Sequence, residues 1–89
     1  MDKNWLQSKL TIEEAEAKHI VYDKRLGEKG VPFGFINEDW KAMIAGMESG
    51  DELWEFSSPA ATWQNLSGRE GIALVRNGEV IDTIITRLN

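Results

Sequence analysis

The sequence predicts an α+β protein, in which helices pack on a small three-stranded sheet that ends in a C-terminal β-hairpin. Three observations support this fold class: a capping box at Thr11–Glu14, a continuous helical stripe after Asn37, and two apolar runs joined by Asn77-Gly78. The chain has 89 residues, the usual size of one domain, so 1–89 is predicted to be a single α+β domain.

The first helix is predicted over 12–26. Thr11 is placed to accept a hydrogen bond from an early helical amide, and Glu14 to reach back to the backbone of the cap. An apolar stripe with helical spacing follows on one face: Ile12, Ala15, His19, Tyr22 and Leu26. Gly27 and Gly30 are expected to end this helix because glycine accepts the backbone conformation of a helix C-terminus.

The second helix is predicted over 38–48, after an apolar loop at 31–36 with a few extended residues. Asn37 is expected to cap this helix, and Gly50 is expected to stop the chain from continuing it. Apolar residues repeat without a gap at helical spacing: Trp40, Met43, Ile44 and Met47. This repeat is the strongest helical pattern in the chain.

A strand at 52–57 and a third helix at 59–67 are predicted next. Trp54 and Phe56 alternate with other residues, which is typical of a strand with one aromatic face, and Ser58 is the expected N-cap of the helix. Two arrangements stay open for this strand. A helical crossover would make it parallel to the following strand, whereas a compact corner would give an antiparallel meander.

The C-terminal hairpin is predicted from strands 71–76 and 79–87, with a type I′ turn at Asn77-Gly78. The turn pairs Arg76 with Glu79 and sets the rest of the register: Val75 opposite Val80, Leu74 opposite Ile81 and Ile72 opposite Thr83. One face would carry Ile72, Leu74, Ile81 and Ile85, and the other Ala73, Val75, Val80 and Ile84. Because both faces are apolar, helices are expected to cover both, or a partner to cover one.

The net charge of −5 comes entirely from the middle third of the chain. Residues 1–30 carry six charges of each sign and residues 61–89 three of each, whereas 31–60 hold one lysine and six carboxylates. No basic stripe is present, so direct nucleic-acid binding is not predicted. The chain has no cysteine, no secretory signal pattern and no apolar run near the ~20 residues of a membrane span, which predicts a cytoplasmic protein without membrane contact.

No catalytic constellation is recognisable, so a non-enzymatic protein with no cofactor and no metal is favoured. His19 is the only histidine, and a hydrogen-bonded histidine at the edge of the core is favoured over general acid–base work, because no orienting partner can be placed beside it. The glycines between residues 27 and 34 match neither GxGxxG nor a P-loop. The carboxylates after Met47 lack the spacing of a calcium loop.

These observations favour a binding or regulatory module that engages another protein. The acidic middle region, 31–60, is predicted to contact the partner, for which a basic surface is the natural match. The candidate contact residues are Glu48, Asp51, Glu52, Glu55 and Trp5. Trp5 lies near the N-terminus outside any strong pattern, and its alternative role is packing on the body of the protein from a helical or extended lead-in. The last strand, over Val80–Thr86, is a candidate contact for a homodimer.

The alternative function is that of a small-molecule-binding protein or a modest enzyme. Its pocket would lie between the second helix and the aromatic strand, lined by Trp40, Trp54 and Trp63. The three indoles occupy inward positions of three consecutive elements, so burial in the core is their first interpretation.

The block from Gly50 to Ile81 reads GDELWEFSSPAATWQNLSGREGIALVRNGEVI. It resembles a C-terminal segment of a family of small uncharacterised bacterial proteins, and it covers about a third of the chain. The residues that carry the resemblance are Trp54, Phe56, Pro59, Trp63, Leu66, Gly68 and Asn77-Gly78. The family has no activity attached to it, so the resemblance supports the fold and implies nothing about chemistry.

Overall fold

Six strands and three α-helices make up the fold in the computed structural model, which describes all residues from 1 to 89. In chain order they are β1 (Leu6–Leu10), α1 (Ile12–Lys18), β2 (Ile20–Val21), β3 (Val31–Pro32), α2 (Asn37–Ala45), β4 (Glu52–Ser57), α3 (Ala60–Gln64), β5 (Arg69–Arg76) and β6 (Glu79–Leu88). Short 3-10 turns lie at Lys3–Trp5, Lys24–Leu26 and Gly34–Ile36. The longest helix has nine residues, and none of the helices is long and apolar enough to cross a membrane.

The main sheet has four antiparallel strands in the order β1-β4-β5-β6, so the α+β class is confirmed and the prediction of three strands is wrong. The missing strand is β1, which lies antiparallel to β4 at one edge of the sheet. Only its two ends, Leu6 and Leu10, are half-buried, and the residues between them are exposed. An edge strand of this kind has no apolar alternation, so the sequence carried no signal for it. The neighbour of β4 is β5, and their antiparallel pairing settles the arrangement left open above as a meander.

Helix α1 ends at Lys18, whereas the sequence predicted a helix to residue 26 with Gly27 and Gly30 at its end. The capping box at its start is present as predicted, because the Thr11 hydroxyl accepts from the Glu14 amide and the Glu14 carboxylate accepts from the Thr11 amide. After Lys18 the chain forms β2, which pairs with β3 in a separate two-stranded sheet. Gly30 allows this pairing, since a Cβ there would lie 2.7 Å from Cγ1 of Ile20.

Helices α2 and α3 are also shorter than predicted. Helix α2 covers 37–45, not 38–48, and Asn37 does not cap it because its side-chain amide donates to the Pro32 carbonyl at 2.9 Å. Helix α3 covers 60–64, not 59–67. The Ser58 hydroxyl lies 2.6 Å from the Thr62 hydroxyl and accepts from the Arg69 amide at 2.9 Å, so it connects α3 to β5 rather than capping the helix.

Both faces of the main sheet are apolar, as predicted. One face, called here the helix face, packs against α1 and α2, and its buried side chains include Leu53, Ile72, Leu74 and Ile84. The other, called here the rear face, has Phe56, Ala73 and Val75 as its buried residues. Half-buried side chains pack around them: Trp5, Leu6, Trp54, Val80 and Ile85. The N-terminal segment, rather than a helix, therefore lies against the rear face.

The hairpin begins as predicted and then changes register. Asn77 and Gly78 have φ of 52° and 78°, the positive values that a type I′ turn requires, and Arg76 pairs with Glu79 and Val75 with Val80. The register then shifts by one residue in β6, so that Leu74 lies opposite Asp82 and Ile72 opposite Ile84. This bulge places Ile84 on the helix face and leaves Ile81 45 % exposed. Ile85, predicted beside Ile72 and Leu74, packs on the rear face, so the predicted faces of Ile81, Ile84 and Ile85 are wrong.

Candidate functional site

A groove of about 560 Å³ lies between helix α2 and strand β6 and is called here the α2–β6 groove. Its lining residues from the helix side are Ile36, Asp39, Ala42 and Met43, and those from the strand side are Asp82, Thr83, Ile84 and Ile85. Met43 and Ile84 are buried and give the groove an apolar floor. The groove therefore joins part of the acidic middle region to the C-terminal strand.

The two carboxylates of the groove are exposed, and neither forms an ion pair within the protein. Asp39 lies in the first turn of α2, where a negative charge is favoured by the helix dipole. Asp82 lies in β6, and its Oδ1 accepts a hydrogen bond of 2.8 Å from the amide of Thr83. A cationic group in the groove would meet two carboxylates that no internal cation neutralises.

Strand β6 is the last strand of the sheet, and its outer edge has no partner strand. It is ten residues long, twice the length of β1 at the opposite edge. Backbone groups at an unpaired edge are a template for another strand unless the protein protects them. Here the bulge near Ile81 and the contact of Asp82 with the Thr83 amide interrupt the regular edge.

Of the five residues predicted to contact a partner, Glu48 and Asp51 are brought together at Arg76. The guanidinium donates to both oxygens of Asp51, and it lies 3.3 Å from Oε2 of Glu48. Hydrogen bonds from Arg76 and from the Glu48 amide hold the pKa of Asp51 below its usual range. The Asp51 side chain is only 2 % exposed, so it is enclosed within the protein rather than offered to a partner.

Glu52 and Glu55 lie on opposite faces of the sheet, because three positions along a strand reverse the direction of the side chain. Glu52 pairs with Lys9 at 2.8 Å and accepts from the indole N–H of Trp54 at 3.1 Å. The hydrogen bond from Lys9, then that from Trp54, lower the pKa of Glu52. Glu55 pairs with Lys18 at 2.7 Å. The four predicted carboxylates thus do not form one surface, and each already has a cationic partner.

Trp5, the fifth predicted contact residue, is half-buried on the rear face. It borders a cavity of about 420 Å³ together with Met1, Phe56, Arg69, Thr83 and Ile85. Trp5 therefore packs on the body of the protein and at the same time lines an open site.

His19 lies at the C-terminus of α1, with its ring stacked on Phe33 at 4.9 Å between centroids. Its Nε2 atom is buried without a hydrogen-bond partner, and the nearest carboxylate oxygen, Oε1 of Glu55, is 3.8 Å away. Burial lowers the pKa of His19, against the opposing effect of Glu55. The boundary position agrees with the sequence prediction, but Nε2 lacks the predicted hydrogen bond.

The three tryptophans of the alternative function do not surround a common pocket. Trp40 is fully buried on the helix face and donates to Glu16, whereas Trp54 packs on the rear face. Trp63 lies in α3 and donates to the Ser58 carbonyl at 3.1 Å. No group of three or more histidine or carboxylate side chains is arranged to hold a metal ion.

Sequence reasoning missed the α2–β6 groove and the presence of both Asp39 and Asp82 along it. Asp82 interrupts the apolar run of the last strand, and that interruption is the one available signal. Its position beside α2 depends on the β6 bulge and on the packing of the helix, which a pattern along the chain does not reveal.

No protein-family model, no curated protein and no solved structure matches this chain. The resemblance of residues 50–81 to small bacterial proteins therefore stays a prediction.

Proposed function

We propose that this chain is a non-catalytic protein-binding module that holds an extended, basic segment of a partner in the α2–β6 groove. One observation carries the proposal: two unpaired carboxylates, Asp39 and Asp82, border an apolar groove beside an unpaired strand edge. The partner segment would place apolar side chains on the floor and lysine or arginine side chains near the carboxylates. This arrangement combines the middle region, 31–60, with the C-terminal strand.

Strand addition to β6 is the binding mode that suits this groove. A partner strand would satisfy backbone groups at the outer edge of β6, while side-chain contacts in the groove would select its sequence. In the free protein, the carboxylate of Asp82 accepts a hydrogen bond from the amide of Thr83. A cationic side chain that attracts Asp82 would release this amide to the partner strand, so a basic sequence would open the edge that Asp82 protects.

Glu48, Asp51, Glu52 and Glu55 have a different role in this proposal. Their internal ion pairs leave them poor direct contacts, because a partner cation would have to displace one already bound. The carboxylates of 31–60 still outnumber its one lysine by five, and this excess favours the approach of a basic partner. Electrostatic attraction of this kind acts mainly on the association rate and decreases with salt.

A peptide titration tests the proposal directly. The probe is a short peptide that alternates lysine and valine, compared with a peptide that carries glutamate in place of lysine. Asp39→Asn combined with Asp82→Asn is expected to weaken binding about tenfold, since each surface ion pair contributes up to about 1 kcal/mol. Glu13→Gln is the matched control, because Glu13 is exposed on α1 and has no ion pair. Its affinity for the peptide should equal that of the wild type.

Amide chemical shifts locate the bound peptide. The proposal requires the largest shifts at Thr83 and its neighbours in β6 and along α2, and no binding of the glutamate peptide. Equal affinity of the double variant and the wild type, or shifts confined to other surfaces, would overturn it.

A homodimer through β6 is the second candidate, and the same unpaired edge of ten residues favours it. Sedimentation at rising protein concentration distinguishes the two. A dimer that Thr83→Pro abolishes would show that a second copy occupies the edge, and would overturn the basic partner as its occupant. A monomer at all concentrations would leave the edge open to the peptide.

A further inference from the structure

We infer that the rear-face cavity bordered by Trp5 and Arg69 is a binding site for a small organic anion, namely a monocarboxylate with an aromatic or branched aliphatic body. The site is distinct from the α2–β6 groove and does not depend on the function proposed for it. Thr83 and Ile85 of β6 border both spaces, but the two anchoring carboxylates of the groove do not reach this cavity.

The cavity matches a small ligand in size and lining. Its volume of about 420 Å³ falls within the range of small-molecule sites, and four of its six lining residues are apolar. The half-buried indole of Trp5 offers a flat apolar surface to the body of a ligand, and the buried Phe56 lies at the floor of the cavity. No carboxylate lines the cavity, so no negatively charged side chain lies there to attract a cation.

The charge of the site comes from Arg69, the one arginine side chain without a partner in the protein. Arg25 pairs with Asp23, Arg76 with Asp51 and Arg87 with Glu70, whereas the guanidinium of Arg69 makes no ion pair, hydrogen bond or aromatic contact. A guanidinium presents a planar set of donors that fits a carboxylate in two parallel hydrogen bonds. Arg69 at the border of an apolar cavity is therefore placed to hold an anionic head group.

Trp5 supplies a second unused donor. The indole N–H groups of Trp40, Trp54 and Trp63 all donate to protein oxygens, but that of Trp5 donates to none. An indole N–H is a donor without acceptor capacity, so it suits an oxygen of the ligand and not a cation. The unused donors of these two lining residues and the apolar residues around them together indicate the class of ligand.

The site is tested with 3-phenylpropanoate as the probe and 3-phenylpropan-1-ol as its neutral counterpart. The four indole N–H signals are followed by ¹H–¹⁵N correlation spectroscopy of the full chain, and the spectrum of Trp5→Phe identifies the Trp5 signal. We expect phenylpropanoate to shift the Trp5 signal in a saturable manner and to leave those of Trp40 and Trp63 in place. The alcohol should bind about tenfold more weakly or worse, because it lacks the charge that Arg69 recognises.

Substitutions at Arg69 distinguish recognition of the carboxylate from nonspecific apolar binding. Arg69→Gln should lower the affinity for phenylpropanoate about tenfold or more and leave the affinity for the alcohol unchanged. The affinity of Arg69→Lys for phenylpropanoate should lie between those of the wild type and Arg69→Gln, since lysine keeps the charge without the planar donor set. Arg87→Gln is the matched control, because Arg87 lies over the Trp63 ring outside the cavity, and it should bind phenylpropanoate like the wild type.

Three results would overturn the inference. The first is the absence of any shift at Trp5 with phenylpropanoate in the millimolar range. The second is equal affinity of Arg69→Gln and the wild type for the carboxylate. The third is a Trp5 signal that moves with protein concentration in the absence of ligand, which would identify a second copy of the chain as the occupant of the rear face.

Discussion

The guanidinium of Arg76 donates two hydrogen bonds to the carboxylate of Asp51, from Nε to Oδ1 at 2.9 Å and from Nη2 to Oδ2 at 2.8 Å. Nη2 also donates to the Gly46 carbonyl at the end of α2, and Oδ2 of Asp51 accepts from the Glu48 amide. One ion pair thus connects the end of the second helix, the loop that follows it and strand β5. Ion pairs in which an arginine donates two hydrogen bonds to one carboxylate are stronger than ion pairs with a single contact.

Asp51→Asn is expected to lower the free energy of unfolding, because it removes the negative charge to which Nε and Nη2 of Arg76 both donate. Urea unfolding of the variant and the wild type at neutral pH measures the loss. Glu48→Gln is the control, since Glu48 meets the same guanidinium at 3.3 Å with a side chain that is 70 % exposed. The loss should be clearly larger for Asp51→Asn, and equal losses would contradict the role given to the paired geometry.

The pH dependence of this ion pair follows from the lowered pKa of Asp51. A carboxylate whose pKa is lower in the folded state than in the unfolded state stabilises the fold at pH values above its unfolded-state pKa, which is about 3.9. That contribution to stability is lost as the pH falls through the pKa that Asp51 has in the folded state. The difference in stability between wild type and Asp51→Asn should therefore be constant near neutral pH and shrink below about pH 4. A difference that stays constant into acid would contradict the assignment.

His19 predicts a second pH effect, with its origin in burial. Burial lowers the pKa of His19 in the folded protein, while Glu55 and Glu70 oppose the shift and Lys18 supports it. The folded state then binds a proton less readily than the unfolded state. The stability of the folded state should fall as the pH drops through the pKa of His19 in the unfolded state, about 6.5. It should level off once the pH is below the pKa of His19 in the folded state. Urea unfolding at a series of pH values measures this slope.

His19→Gln removes the titrating ring and should flatten the slope between about pH 5 and 8. An NMR titration of the His19 ring provides an independent measurement of its pKa. A value at or above that of an exposed histidine would contradict the prediction, whatever the stability of the variant.

Leu66 predicts a stabilising substitution. It lies after α3 with φ of 59°, a left-handed conformation that is costly for a leucine, and its side chain is 75 % exposed. Leu66→Asn should raise the free energy of unfolding by about 1 kcal/mol, because asparagine tolerates this conformation. Leu66→Ala keeps the steric cost and is the control. If both variants unfold at the same urea concentration, the backbone strain is not the cause.

The elements that sequence alone predicted correctly are those with a local cause. The Thr11 capping box and the Asn77-Gly78 turn each depend on a few neighbouring residues, and both are present. The end of α1 has a distant cause instead. The helical pattern continues past Lys18, but β2 pairs with β3, and the Phe33 amide donates to the His19 carbonyl at 2.7 Å. Tertiary hydrogen bonds overrode the local pattern there.

The candidate sites show the same division. Glu48, Asp51, Glu52 and Glu55 are conspicuous in the sequence, yet the fold supplies each of them with a cation from another element. Arg69 was not conspicuous, and its importance comes from the absence of such a partner. Whether a charge is neutralised depends on contacts between distant elements, which a charge count along the chain does not contain.

The β6 bulge yields the last prediction, because it decides which isoleucine of the hairpin is buried. The regular register predicted Ile81 beside Ile72 and Leu74, whereas the fold places Ile84 there, 6 % exposed, and leaves Ile81 45 % exposed. Ile84→Ala should lower the free energy of unfolding by about 2–5 kcal/mol, the usual loss for a buried isoleucine, and Ile81→Ala by less than about 1 kcal/mol.

Urea unfolding of the two variants, with the slopes of the transitions compared, checks both values. The two substitutions remove the same atoms from the same strand, so the difference in burial is expected to dominate the difference in stability. Ile85→Ala serves as a reference for the rear face, where Ile85 is half-buried beside Phe56. If Ile81→Ala were the more damaging variant, the hairpin would follow the regular register without the bulge, and the position of Asp82 in the α2–β6 groove would be lost with it.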